Sequence, residues 1–194
     1  PQSNLIPYFH PSKQKPYMTK KLLLLPVLAI LLVAFKPIET KWKLDAVHSH
    51  LGFAVGHLAV SEIVGSVVIT EASITTSADD FSDAVVTMKV DLNTIDTDND
   101  KRDEHLKTAD FFDTAKFPDI TFQSTAFKKV STDNYTITGN LTMHGFTKPV
   151  TLKATVKTGI NPNNNKAISG MKITGSIKRT DFEISKDTPE AILS

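Results

Sequence analysis

From Trp42 onward the apolar residues recur at every second position, the spacing of strands that bury one face. Leu51, Phe53, Val55 and His57 share a face, Val67 goes with Ile69, and Val86, Met88, Val90 and Leu92 form a third row. The alternation returns at Ile120/Phe122, at Tyr135/Ile137/Gly139/Leu141/Met143, at Val150/Leu152/Ala154/Val156 and at Met171/Ile173/Gly175/Ile177. It predicts seven long strands, near residues 50–58, 62–71, 84–93, 119–129, 134–144, 148–159 and 168–181, with a short lead-in at Trp42 to Leu44. Turn residues separate them at Thr132-Asp133-Asn134, Phe146-Thr147-Lys148-Pro149 and Asn161-Pro162-Asn163-Asn164-Asn165.

One connection breaks the period. The stretch from Asp100 to Lys107 has helical character and is acidic at its start, as the helix dipole favours. Thr108 to Asp113 follows, with adjacent Phe111 and Phe112 that no strand period explains. A long non-strand segment between hairpins is often a lid, so this one is expected to cover one end of the fold with the two rings as its apolar contacts. Many antiparallel strands with one helical insertion predict an all-β antiparallel barrel of about eight strands, wide enough for one slender ligand.

The inward rows carry no charge. A barrel lined by Phe53, Val55, Met88, Val90, Phe122, Leu141, Met143 and Ile173 suits a hydrocarbon, since each buried CH₂ gains ~0.8 kcal/mol. The same residues equally describe a barrel filled by its own side chains, and periodicity does not choose between the two. His57 lies on the row of Leu51, Phe53 and Val55, either as a polar handle in a pocket or as a hydrogen-bonded core histidine.

Ahead of the strands, Met18-Thr19-Lys20-Lys21 precedes an apolar run from Leu22 to Phe35 broken only by Pro26. A membrane span needs about 20 apolar residues, so this shorter run reads as a secretory signal peptide over residues 18–35, cleaved near Ala34. Residues 1–17 read as upstream sequence or a cloning remnant, and residues 36–194 as the folded domain. Export implies no stable membrane span in the mature protein.

Composition narrows the chemistry. There is no cysteine, which removes disulfides, thiolate metal sites and cysteine nucleophiles. All 21 acids and all but four of the 22 basic residues lie from Lys36 on, leaving a slightly acidic body that argues against nucleic-acid binding. His48 and His50 are two apart, but no carboxylate stands at a supporting spacing, and no metal site is expected. Arg102 is expected to bridge Asp103 or Asp110, and Arg179 to pair with Asp181. Ser49 beside two histidines has neither a nucleophile elbow nor an oxyanion loop, so no catalytic residues and no enzymatic activity are expected.

Four stretches, in order over residues 42–184, resemble the YceI-like family of bacterial exported proteins. They are Leu44-Asp45-Ala46-Val47-His48-Ser49 through Phe53 to His57-Leu58; Arg102-Asp103-Glu104-His105-Leu106 through Asp110-Phe111-Phe112-Asp113 to Phe117-Pro118-Asp119-Ile120-Thr121-Phe122; Gly139 through Val150; and Arg179-Thr180-Asp181-Phe182. The resemblance implies a lipocalin-like barrel in the periplasm that holds a long polyisoprenoid chain or quinone tail, is not known as an enzyme, and has no other cofactor. It adds Phe182 to the lining. Relatives are linked to isoprenoid handling and to envelope stress, so a stress or interaction protein with a filled barrel is the alternative. Two departures stand out. Glu183 follows the Asp-Phe pair where the family has glycine, and a last family strand is absent after Ile192-Leu193-Ser194. The barrel is therefore expected to be incomplete, with exposed edges that favour a homodimer.

Overall fold

A computed structural model describes residues 38–193. The apolar leader and everything before it lie outside the described residues. The described residues form one antiparallel sheet of eight strands, curled into a half-barrel, with a single short α-helix among them. Its spine is β3 (Ser61–Thr76), which carries both β1 (Thr40–Lys43) and β2 (Leu51–His57) along one edge. From its other edge the sheet continues through β4 (Val85–Asp96), β5 (Asp119–Lys129), β6 (Asn134–Met143), β7 (Phe146–Ile160) and β8 (Ala167–Thr174).

The alternating rows lie where their periodicity put them, but two strands change parity midway. In β3 the inward positions run Ile63, Gly65, Val67, Ile69 and then Ala72, Ile74, Thr76, because the register slips between Ile69 and Glu71. That slip is why the alternation suggests an end near residue 71 while the strand continues to Thr76. In β5 the inward set changes from Phe122 and Ser124 to Phe127 and Lys129 across a bulge between Ser124 and Ala126. The Ser124 hydroxyl fills the gap in the ladder by accepting from the Val86 N–H at 2.8 Å.

Two predicted boundaries are corrected. The β6–β7 turn is His144-Gly145, not Phe146 to Pro149, since Met143 already pairs with Phe146. Both turn residues have positive φ, 51° and 80°, as a two-residue hairpin requires, and a Cβ on Gly145 would sit 2.8 Å from the Phe117 ring. Pro149 is tolerated inside β7 because β8 covers only Lys153 to Ile160 of that strand. The last strand ends at Thr174 rather than near 181: Gly175 is pressed against Leu152, and a 3-10 turn at Arg179–Phe182 follows.

Two groups of buried side chains form the core. The larger is built on Phe122, Phe127, Tyr135, Ile137, Leu141, Met143 and Phe182, the smaller on Val67, Val90 and Ile95, and Met88, Phe112 and Ile120 touch both. Phe53 lies over Gly65 and Phe122 over Gly139, so two rings pack directly on neighbouring backbone where no Cβ intervenes. Among the described residues the outer edge of β8 pairs with no strand. The free edge of β2 carries one bridge, His57 to Leu193.

Candidate functional site

The inner face of the curled sheet is the site that sequence periodicity singles out. Cross-strand pairs follow the apolar row from strand to strand: Met88 faces Phe122, Phe122 faces Leu141, Ile137 faces Leu152, and Ala154 faces Ile173. Lysines enter this face only at its ends. Lys129, beside Tyr135, reaches Asp80 at 3.3 Å, and Lys148 stands opposite Leu141 near the His144 turn.

The twelve expected lining residues divide by burial. Val90, Phe122, Leu141, Met143 and Phe182 are closed into the core, with Val90 wholly inaccessible. Phe53, Val55, His57, Met88, Phe111 and Phe112 are half-buried. Ile173 is 39% exposed although its cross-strand neighbour Ala154 is buried, because β8 is the outermost strand. The accessible apolar lining is thus mainly on β2, β7 and β8, with Ile63 of β3 beside β2. It includes Ile63, Val150, Leu152 and Met171, which stand in the same inward rows and were missing from the expected set. Nothing in the alternation distinguishes a central strand from an outer one, so periodicity alone favours the bulky central residues.

The helical insertion stands at one end of the half-barrel, where it joins β4 to β5. The helix α1 (Asp100–Lys107) starts at Asn99, whose side chain accepts from the Arg102 N–H at 3.0 Å. Arg102 does not bridge Asp103 or Asp110. Its guanidinium donates to the Thr97 hydroxyl at 2.7 Å and the Thr97 carbonyl at 2.6 Å, while buried Asp103 accepts from the Thr97 hydroxyl and, at 3.0 Å, from its N–H. These bonds fasten the helix to the end of β4. Asp110 instead lies 3.3 Å from His105, whose ring meets Phe111 edge-on at 5.0 Å between centroids. Phe111 and Phe112 both pack on the core, a contact that a cover and ordinary core packing share.

At the same end Arg179 has no ion pair with Asp181. Its guanidinium donates to the backbone carbonyls of Leu193, Ile184, Ser185 and Thr188, gathering the segment after the 3-10 turn around one side chain. Such a grip leaves no sequence pattern, because its acceptors are backbone. His144 donates through Nδ1–H to the Phe182 carbonyl, 3.0 Å away, and its ring meets Phe117 at 5.0 Å. Glu183 has φ 56°, the left-handed conformation that glycine favours.

The remaining polar candidates do not converge. His48 Nδ1 pairs with the exposed Asp45 carboxylate at 2.9 Å, and His50 is exposed. That bond holds the Asp45 carboxyl below its ordinary value. Two open clefts, of about 430 and 420 Å³, lie at the opposite end of the strands, lined by polar residues such as Asn134, Lys153 and Lys172 in one and Asp79, Asp80 and Lys157 in the other.

Known proteins share this fold. The YceI-like domain model matches residues 42–193. Protein YceI of Salmonella newport (strain SL254) is 35% identical over 173 residues, covering 88% of this chain and 90% of that protein. A solved Campylobacter jejuni YceI protein superposes with a TM-score of 0.59 at 29% identity, over 76% of this chain and 86% of the other. BcnA of Burkholderia cenocepacia shares the fold, with a TM-score of 0.66 at 24% identity over 77% and 91%. With the domain match spanning every strand from Trp42 in β1 to the Leu193 bridge, the chain belongs to the YceI-like family.

Proposed function

We propose that the protein is an exported carrier that holds a long apolar lipid of isoprenoid type, a polyprenyl or quinone tail, along the inner face of its half-barrel. The observation that supports this most is the uncharged inner face between Lys129 and Lys148, with half-buried Phe53, Val55, Val150, Leu152 and Met171 reachable from its open side. A flexible hydrocarbon gains free energy from every methylene laid on such a wall, and nothing there recognises a polar substrate. Binding rather than catalysis is the reading: Asp103 and Arg102 are consumed in fastening α1, Arg179 in holding the C-terminal segment, and the histidine–carboxylate pairs are exposed. The apolar leader and the resemblance to exported relatives support the periplasm as the location. N-terminal sequencing of protein recovered from the envelope tests that. A mature form beginning near Phe35 fits, and one retaining Leu22 to Phe35 rejects it.

A second reading is favoured by the packing of the centre. Phe122, Ile137 and Leu141 fill the middle of the sheet, and the two clefts reach the inner rows only near one end, at residues such as Tyr135, Ala154 and Val156. On that reading the half-barrel is a filled scaffold for an envelope interaction. Lipid extraction of the purified protein followed by mass spectrometry separates the two, because only a carrier returns a stoichiometric isoprenoid. Replacing Val55 and Ile173 by aspartate is the matching control, since neither belongs to the buried clusters or to the side chains packed on them, and a charge there repels hydrocarbon.

A further inference from the structure

The β2–β3 hairpin closes through Leu58-Ala59-Val60, three consecutive apolar residues at an exposed tip. Leu58 is 54% exposed and Val60 87%. The Val60 N–H reaches the His57 carbonyl at 3.3 Å, and both central residues of that turn are left-handed, with φ of 54° at Leu58 and 55° at Ala59. Turns with two positive φ values ordinarily use Asn-Gly, because a Cβ is strained there. Here the chain places leucine and alanine in the strained positions and leaves their side chains in water. A run of three exposed apolar residues is against folding and solubility unless it meets something.

The position of the tip says what it meets. The Leu58 N–H donates to the Ile192 carbonyl at 3.0 Å, and Ile192 is itself 44% exposed. Leu193 beside it is held by Arg179, whose 3-10 turn presents the Phe182 carbonyl to His144, which in turn packs on Phe117. The tip therefore belongs to the end of the half-barrel that carries the helical insertion. From His57 to Ser61 there is no charged residue to define a specific partner. Three side chains and Ile192 are also far fewer than the roughly 20–30 residues a side of a stable protein interface. A lipid bilayer asks for neither specificity nor area, since a few apolar side chains dipping below the headgroups suffice for transient contact.

We infer that the Leu58-Ala59-Val60 tip inserts into a lipid bilayer, docking the helix-bearing end of the half-barrel on the membrane from which its ligand is taken. The inference rests on the proposed lipid ligand, but the contact is measured separately. The test compares the wild-type protein with L58N/A59G/V60T on vesicles of phosphatidylethanolamine and phosphatidylglycerol containing ubiquinone. Flotation reports docking, and uptake of ubiquinone solubilised in detergent reports the inner face. The variant has the residues the turn prefers, so it melts at or above the wild-type temperature, and a loss of docking is not a loss of fold. Flotation of the variant is expected to fall about tenfold or more, because each buried Leu or Val side chain is worth at least that factor in partitioning. Uptake from detergent is expected to be unchanged. Equal flotation of the two proteins, or no flotation of the wild type, overturns the inference. A concentration-dependent dimer that the variant abolishes also overturns it, by assigning the tip to a second copy of the chain. Flotation that depends on the tip, without any uptake from detergent, supports this inference while rejecting the carrier reading.

Discussion

Gly139→Ala tests how the centre of the sheet is packed. Gly139 is buried in β6 and faces inward beside Leu141. A methyl there would stand 2.6 Å from Cε2 of Phe122 and 2.6 Å from the Gln123 carbonyl oxygen. The ring can turn away only by disturbing the core, and the carbonyl belongs to the β5 backbone. Overpacking of this kind costs about 1–3 kcal/mol, and a backbone obstacle puts the cost in the upper part of that range. Against this, alanine lowers the entropy of the unfolded chain by about 0.4–1 kcal/mol. The net loss is about 2 kcal/mol, or roughly 4–8 °C in Tm for a domain of this size. Trp42, the single tryptophan, packs on Phe81 at 5.7 Å between ring centroids and reports unfolding in urea by fluorescence. Gly170→Ala is the control: nothing lies within 4 Å of the methyl it would add, and it should be neutral or stabilising by up to ~1 kcal/mol. In F122L/G139A the methyl has no ring to meet, so the two changes should couple by about 1–2 kcal/mol. A neutral Gly139→Ala, or strict additivity with F122L, would show that the ring does not lie on that glycine.

Three further outcomes are expected. Glu183→Gly relieves a left-handed residue at the end of the 3-10 turn and should stabilise by about 0.5–1 kcal/mol in urea unfolding, after allowing for the exposed Lys186 pair; a loss of stability contradicts the strain. Arg179→Lys keeps the charge but cannot reach four carbonyls, so it should cost about 2–3 kcal/mol and expose residues 184–193 to limited proteolysis, whereas an unchanged cleavage pattern rejects the grip. Asp83 accepts from the Thr76 hydroxyl and from the Ala78 and Ser77 N–H groups, which lower its pKa below the ordinary carboxylate value of about 4. Its contribution is therefore complete above that value and lost as pH falls through the lower folded one. The stability difference between wild type and Asp83→Asn should shrink in that acid window and be constant at neutral pH; a constant difference through acid pH rules this out.

Much of this architecture is legible in the amino-acid order, for a local reason. A strand with one buried face writes its period directly into the chain, so the rows of Val86 to Val90 and Tyr135 to Met143 are visible without any knowledge of their partners. What escapes is whatever depends on a partner distant in sequence. Ser124 looks like an ordinary position until the bulge gives its hydroxyl the Val86 N–H to satisfy. Arg179 and Arg102 invite pairing with the nearest carboxylates, yet both spend their donors on backbone carbonyls or a threonine. The end of β8 at Thr174 depends on Leu152 lying against Gly175, a contact made by side chain and backbone more than twenty positions apart. The accessible lining of Val150, Leu152 and Met171 is visible as rows, but its accessibility follows from strand order, which period two does not encode.

The carrier reading is tested most directly by the lipid content of the native protein. Purified from a bacterial envelope, extracted and analysed by mass spectrometry, it should return an isoprenoid lipid at close to one per chain, and the V55D/I173D variant, folded by its Trp42 signal, should return little or none. Protein that carries no such lipid, and takes up none when offered quinones and polyprenols, would contradict the account and leave the filled scaffold in its place.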